Sequence, residues 1–143
     1  MIRQYRESDI DAVVEIFRSN IPKYFGPSEE PELREFLAAF GELYSVIEVD
    51  GNVVGAGGIG LNDDDTVSLC WGMVHREHLG TGVGKILTQY RIERSREVFG
   101  DMPIVTSTSQ LTEGFYERFG LKTFERNKDA FGPGLDECKM RLG

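Results

Sequence analysis

Apolar residues near the N-terminus recur at intervals of three and four. Ile10, Val13, Val14 and Phe17 fall on one face of a helix, with Ser8 and Asp11 as a capping signature at its start and Ile2 to Tyr5 as a short strand ahead of it. The stretch NIPKYFGPSEEP breaks this period with three prolines and a glycine. Leu33, Phe36, Leu37 and Phe40 then resume helical spacing, with Glu29, Glu30 and Glu32 at the positive end of that second helix.

From Tyr44 the pattern becomes that of strands. LYSVIEV and VVGAGGIG flank Asp50-Gly51-Asn52, a pairing suited to a tight hairpin turn, and LNDDD leads into a third member of the meander, TVSLCWGMV. Val83, Ile86, Leu87 and Tyr90 then mark an apolar stripe, with Lys85, Arg91, Arg94 and Arg96 on other faces, which predicts a long helix ending near Gly100. PIVTST reads as a strand and Thr112 to Phe119 as a short helix stopped by Gly120. LKTFER, a Gly-Pro-Gly loop and LDECKMRL close the chain as a hairpin. With no repeat or linker, residues 1–143 read as one α/β (α+β) domain with a mixed, mostly antiparallel sheet flanked by helices.

The net charge of -8 argues against nucleic acid or an anionic membrane as partner, because both reward clustered Lys and Arg. Cationic or neutral small partners fit that balance, and so does acidity kept for solubility alone. Cys70 and Cys138 lie far apart and outside metal-type spacing, so neither a disulfide framework nor a metal site is expected, and a reducing cytoplasm is the expected compartment. The N-terminal segment lacks the apolar run of a signal peptide, and no apolar stretch is long enough to cross a bilayer.

The chemistry concentrates in HREHLGTGVGKIL, which follows a strand and opens a helix. The first N–H groups of a helix lack intrahelical partners and sit at the positive end of its dipole, so an entry lined by Gly80, Gly82 and Gly84 lets phosphate oxygens approach bare backbone. A nucleotide P-loop does not fit: aligning its Gly-Lys on Gly84-Lys85 puts Leu79 at the first glycine and Ile86 at the hydroxyl. A dinucleotide fingerprint does not fit either, since its third glycine would fall on Lys85 and it belongs to an initial βαβ unit. A diphosphate bound late in a mixed sheet remains.

Here the chain resembles the GNAT superfamily of N-acetyltransferases, in order of elements and in motif, over essentially its whole length. In that family the strand ends in a segment like VHPEYRG, and the loop reads Arg or Gln, Gly, any residue, Gly, any residue, Gly or Ala. MVHREHLGTGVGKIL matches all three glycines and departs at Leu79, where Arg or Gln is usual. The resemblance implies that the backbone of Leu79, Gly80, Thr81, Gly82, Val83 and Gly84 holds the diphosphate of acetyl-CoA. Thr81 adds a hydroxyl, and Lys85 is either a charge near the diphosphate or a solvated first-turn lysine. A second match, SQLTEGFYERFGLK, places Phe115-Tyr116 and Gly120-Leu121 on the family pattern, with Ser109 where Asn is common and Thr112 where Ala is. Ser109 is open to two roles, a hydrogen bond to the pantetheine arm or a helix N-cap.

By the same resemblance, the strand end at Trp71 to Val74 splays from its neighbour and offers backbone to the pantetheine arm, chiefly at Met73 and Val74, while Tyr116 is the general acid for the departing thiolate, the alternative being that it packs beside Phe115 and hydrogen-bonds the cofactor. The general base stays open among Glu48, a relayed water and, least favoured, His75 or His78. The loop between the first two helices lines the acceptor cleft in the family, which nominates Tyr24 and Phe25 as an aromatic wall, with core packing as the alternative. Asp63, Asp64 and Asp65 read as a solvated turn, with attraction of a cationic amine as the alternative. The expected activity is acetyl-CoA-dependent transfer of an acyl group to a primary amine of a small molecule or peptide by direct attack on the thioester, without a metal. The alternative is a non-catalytic acyl-CoA-binding or regulatory module, motivated by Leu79 and Ser109. Family members often pair through terminal strands or sheet edges, so LDECKMRLG is a candidate homodimer contact.

Overall fold

The architecture comes from a computed structural model that describes residues 1–21 and 23–143. In chain order its elements are β1 (Ile2–Gln4), α1 (Ile10–Ser19), α2 (Glu30–Phe40), β2 (Tyr44–Val49), β3 (Asn52–Leu61), β4 (Val67–Val74), α3 (Val83–Phe99), β5 (Ile104–Thr108), α4 (Glu113–Glu117), β6 (Lys122–Gly132) and β7 (Leu135–Leu142). The seven strands form a mixed sheet in the order β1-β2-β3-β4-β5-β7-β6, so this is an α/β fold as the sequence predicts. Two compact units divide the chain: Met1–Gly60 with Cys70–Arg91, and Leu61–Leu69 with Ile92–Gly143.

In the first unit β1, β2 and β3 pair antiparallel, with Arg3 opposite Val46 and Val46 opposite Ala56. The β2–β3 turn places Asp50 and Gly51 at φ 53° and 80°, the left-handed geometry that suits the twist of a two-residue hairpin. The apolar stripes of α1 and α2 close over this sheet, burying Val13, Ile16, Phe17, Leu33 and Leu37 with Tyr5, Tyr44, Val46, Ala56 and Met73. The entry to α1 differs from the expected Ser8 and Asp11 signature. A 3-10 turn over Glu7–Asp9 leads in, and Asp9 Oδ2 accepts the Arg6 N–H at 2.8 Å while its carboxylate also receives Arg3. Asp9 wins because it alone reaches a free N–H and a guanidinium together.

In the second unit β4 pairs parallel with β5 at Val67–Ile104 and Ser68–Val105. β5 pairs antiparallel with β7 from Ile104–Leu142 to Thr108–Cys138, and β7 with β6. Leu121, Cys138 and Met140 form its core, with Tyr116, Phe119 and Leu142 packed against them. β6 runs on through Asn127 to Gly132, beyond the segment the pattern marks, and bulges where Asp129 takes φ 56°. α4 is shorter than the predicted Thr112 to Phe119.

Helix α3 has the predicted ends, but its faces are assigned differently. Ile86 is exposed, and the buried positions are Val83, Leu87, Thr88, Arg91, Ile92 and Ser95. Arg91, expected on an outer face, points inward.

Candidate functional site

The end of β4 carries the most unusual backbone of the first unit. Trp71 has φ 45°, and the other non-glycine residues with positive φ among those described are all aspartates, which tolerate that region far better than a bulky side chain. Such a conformation costs on the order of 1–3 kcal/mol and persists where neighbours over-determine it. Tyr44, wholly buried, donates its hydroxyl to the Trp71 carbonyl at 2.8 Å. The Trp71 indole stacks on Phe25 at 5.9 Å and meets Phe17 edge-on at 6.3 Å. Burial pushes the Tyr44 phenol far above its ordinary value, so it stays a donor at any working pH. Burial also raises the Cys70 thiol, one residue before Trp71.

Beyond Trp71, Met73 is buried in the core, and the Val74 carbonyl accepts from Asn20 Nδ2 at 2.9 Å. The same amide donates to Ile16 O at 2.9 Å, so Asn20 ties the C-terminus of α1 to the end of β4. Ser19 Oγ accepts the Arg76 N–H at 3.1 Å, which anchors the start of the loop. His75 donates its N–H to Val54 O at 2.7 Å and accepts the Glu77 N–H on Nδ1 at 3.1 Å. Its imidazole is therefore engaged in capping a single 3-10 turn, Arg76–His78.

The glycine loop follows. Gly80 and Gly82 take φ 79° and 91°, and a Cβ at either would meet nothing within 4 Å. Backbone conformation, not crowding, demands glycine here, and the space beside both residues is open. Val83 starts α3, and the Ile86 N–H already reaches back to Gly82 O at 3.1 Å. The Thr81 hydroxyl donates to His78 O, Lys85 is exposed and Leu79 is half-exposed. Gly84 lies in the first turn of α3.

Tyr24 and Phe25 follow α1, each donating its N–H to Asn20 O. Phe25 packs on Phe17 and Trp71, while the ammonium of Lys23 lies 5.2 Å from the centre of the Tyr24 ring. Glu48 accepts Arg3 Nε at 2.5 Å, so this candidate base is held in an ion pair.

The second unit holds the other predicted residues. Ser109, buried, accepts the Leu111 N–H on Oγ at 3.2 Å, and its carbonyl accepts the N–H groups of Thr112 and Glu113 at 3.1 Å. It thus organises the entry to α4. Tyr116 is half-buried in α4, edge-on to Phe115 with ring centres 5.2 Å apart. Glu113 binds Thr123 and Arg126, which hold its carboxyl below the ordinary value. Asp64 accepts from Thr66 and belongs to the turn before β4. Among the described residues no group of three or more His, Cys, Asp or Glu could hold a metal ion, and no helix is long and apolar enough to cross a membrane.

Tyr44, Asn20 and Arg91 escape a reading of the sequence because their partners are distant in the chain or lie on an unexpected face. For Arg91, Gly57 and Gly72 were the available signal.

The family model for the acetyltransferase (GNAT) family matches residues 10–121, and the chain belongs to that family. Three solved structures show the same fold. Ard1 from Thermoplasma volcanium is 17% identical with a TM-score of 0.84, covering 99% of this chain and 95% of its own. The ribosomal-protein-alanine N-acetyltransferase from Brucella melitensis is 20% identical with a TM-score of 0.80, covering 99% and 98%. YncA from Salmonella typhimurium, solved with its cofactor acetyl-CoA, is 22% identical with a TM-score of 0.81, covering 99% and 92%. No curated protein matches the sequence.

Proposed function

We propose that this chain is an acetyl-CoA-dependent N-acetyltransferase that acylates a primary amine of a small molecule or peptide. The observation that carries the reading is the pair of left-handed glycines, Gly80 and Gly82, beside open space at the N-terminus of the long helix α3. That arrangement fits a diphosphate, because unpartnered N–H groups and the helix dipole favour anionic oxygens while the absence of side chains lets them approach. Leu79, Gly80, Thr81, Gly82, Val83, Gly84 and Lys85 form this anion-binding segment, and Met73 and Val74 offer backbone to the pantetheine arm.

Bound acetyl-CoA supplies the activated acyl group. The acceptor amine forms a C–N bond to the acyl carbon as the C–S bond breaks; the nitrogen gives up one proton to solvent and the departing thiolate takes one up. Tyr116 holds that proton at Oη; this role comes from the family match around Phe115-Tyr116. Tyr24 and Phe25 bound the acceptor side. Ser109 Oγ takes the Leu111 N–H in the turn ahead of α4, whose N-cap is Thr112, so its remaining hydroxyl proton is left for a carbonyl of the pantetheine arm.

The test is acetyl-CoA-dependent release of thiol across a panel of amines, with Tyr116→Phe in parallel and CoA affinity measured by calorimetry for both proteins. Amine-dependent release that falls at least tenfold in the variant, with unchanged CoA affinity, is expected from loss of a general acid. A protein that binds CoA and releases no thiol with any amine would favour the non-catalytic binding module.

A further inference from the structure

Arg91 is 3% exposed, and its Nε and Nη1 have no hydrogen-bond partner among the described residues. This is costly, because a buried donor without an acceptor forfeits the hydrogen bonds it makes in water. Its head occupies space that two glycines leave open. A Cβ at Gly57 would lie 3.1 Å from Arg91 Nε, and one at Gly72 only 2.6 Å from Nη2. Gly72 lies between the strained Trp71 and the Met73–Val74 backbone, so the unsatisfied cation sits directly behind the strand end assigned to the pantetheine arm.

We propose that Arg91 is a cofactor-binding residue whose orphaned N–H groups are completed by a carbonyl oxygen of the pantetheine arm of acyl-CoA. This rests on the acetyltransferase reading above. The arm is neutral and carries amide and thioester carbonyls, acceptors that suit donors in a dry site. A charge-assisted hydrogen bond of this kind gains strength from low local dielectric and repays the desolvation that the empty protein bears. Arg91 thereby separates recognition of the arm from recognition of the diphosphate, which belongs to the glycine loop.

Calorimetry with CoA, ADP and pantetheine on wild type, Arg91→Met and Arg91→Lys tests this, together with thermal melts of the ligand-free proteins. Arg91→Met is expected to lose about tenfold or more in affinity for CoA and to lose pantetheine binding, while ADP binds as before. Its ligand-free melting temperature is expected to hold or rise, since an uncompensated buried cation is replaced by an apolar chain of similar length. Arg91→Lys, which keeps a charge but loses the fork of donors, is expected to fall between the two. Unchanged CoA affinity in Arg91→Met would overturn the proposal and assign the orphaned donors to buried water. A lowered melting temperature with CoA and ADP weakened together would overturn it in favour of a structural role. Failure of wild type to bind CoA at all would instead defeat the acetyltransferase reading on which it depends.

Discussion

The Tyr44 hydroxyl donates to the carbonyl of Trp71 at 2.8 Å, joining the first residue of β2 to the one bulky residue of the chain's described part that takes positive φ. The strained residue of β4 is thus held at its carbonyl by a buried phenol, and its indole is backed by Phe17 and Phe25. The sequence separates these groups widely, and only the sheet brings them together.

Removing that one oxygen isolates its contribution. Tyr44→Phe keeps the ring in the core but leaves the Trp71 carbonyl without its donor, a loss expected to cost roughly 1–3 kcal/mol in urea denaturation. Because Trp71 leads directly into the backbone at Met73 and Val74, turnover is expected to fall by more than stability alone explains when measured well below the melting temperature. A variant as stable and active as wild type would show that the aromatic packing suffices to hold Trp71.

The glycine loop makes a sharper prediction. Gly82→Asp forces a side chain into left-handed backbone at φ 91° and adds a negative charge where the helix dipole favours an anion. CoA affinity is expected to fall at least tenfold by calorimetry. Gly51→Ala imposes comparable strain at φ 80° in the β2–β3 turn and serves as the control, with some stability lost and CoA affinity retained. Equal effects of both substitutions on CoA binding would remove the loop from the site.

These elements differ in how plainly the sequence shows them, and the reason is physical. The loop is legible because left-handed backbone selects glycine locally, so Gly80 and Gly82 announce their conformation without any partner. The meander is legible because the Asp50-Gly51 turn is equally local. Helix α3 is misread at Arg91 and Ile86 because periodicity assigns faces by polarity, and here two strand glycines admit a guanidinium that polarity sends to solvent. The extension of β6 past Asn127 escapes because its residues are mostly exposed and bulged, which leaves no alternation to read. Ser109 shows the converse: its role at the entry to α4 is local and visible, while any contact with cofactor is not.

Acid sensitivity follows from the N-terminal ion pair. Arg3 donates to both oxygens of Asp9 at 2.8 Å, and the Arg6 N–H reaches Oδ2 at the same distance. The Arg3 bond first, then the Arg6 N–H, hold the Asp9 carboxyl below its ordinary value against a burial effect that would raise it. A depressed folded pKa stabilises the protein above the unfolded value, near ~4, and that contribution is lost as pH falls through the lower folded value. Asp9→Asn is therefore expected to cost about 2 kcal/mol at pH 7 by urea denaturation. The gap from wild type should narrow steadily below about pH 4, as the native carboxylate takes up its proton. A gap that stayed constant to pH 2 would show that the carboxylate's charge contributes nothing there.

Asn20 offers the opposite pH slope. Its amide donates to Ile16 O and Val74 O, each at 2.9 Å, from a buried position. Asn20→Ala leaves the Val74 carbonyl unpartnered and is expected to cost roughly 1–3 kcal/mol, with a loss of CoA affinity if Val74 serves the cofactor. Asn20→Asp preserves shape but places an ionised acceptor against two carbonyl oxygens, so it is expected to destabilise more than alanine at pH 7. Burial and those carbonyls raise the pKa of the introduced carboxyl in the folded state, so lowering the pH protonates it and restores one donor. Urea midpoints for Asn20→Asp should accordingly rise between pH 7 and pH 5 while those of Asn20→Ala stay flat, and a flat response in both would show that the amide's donors do not hold the end of β4.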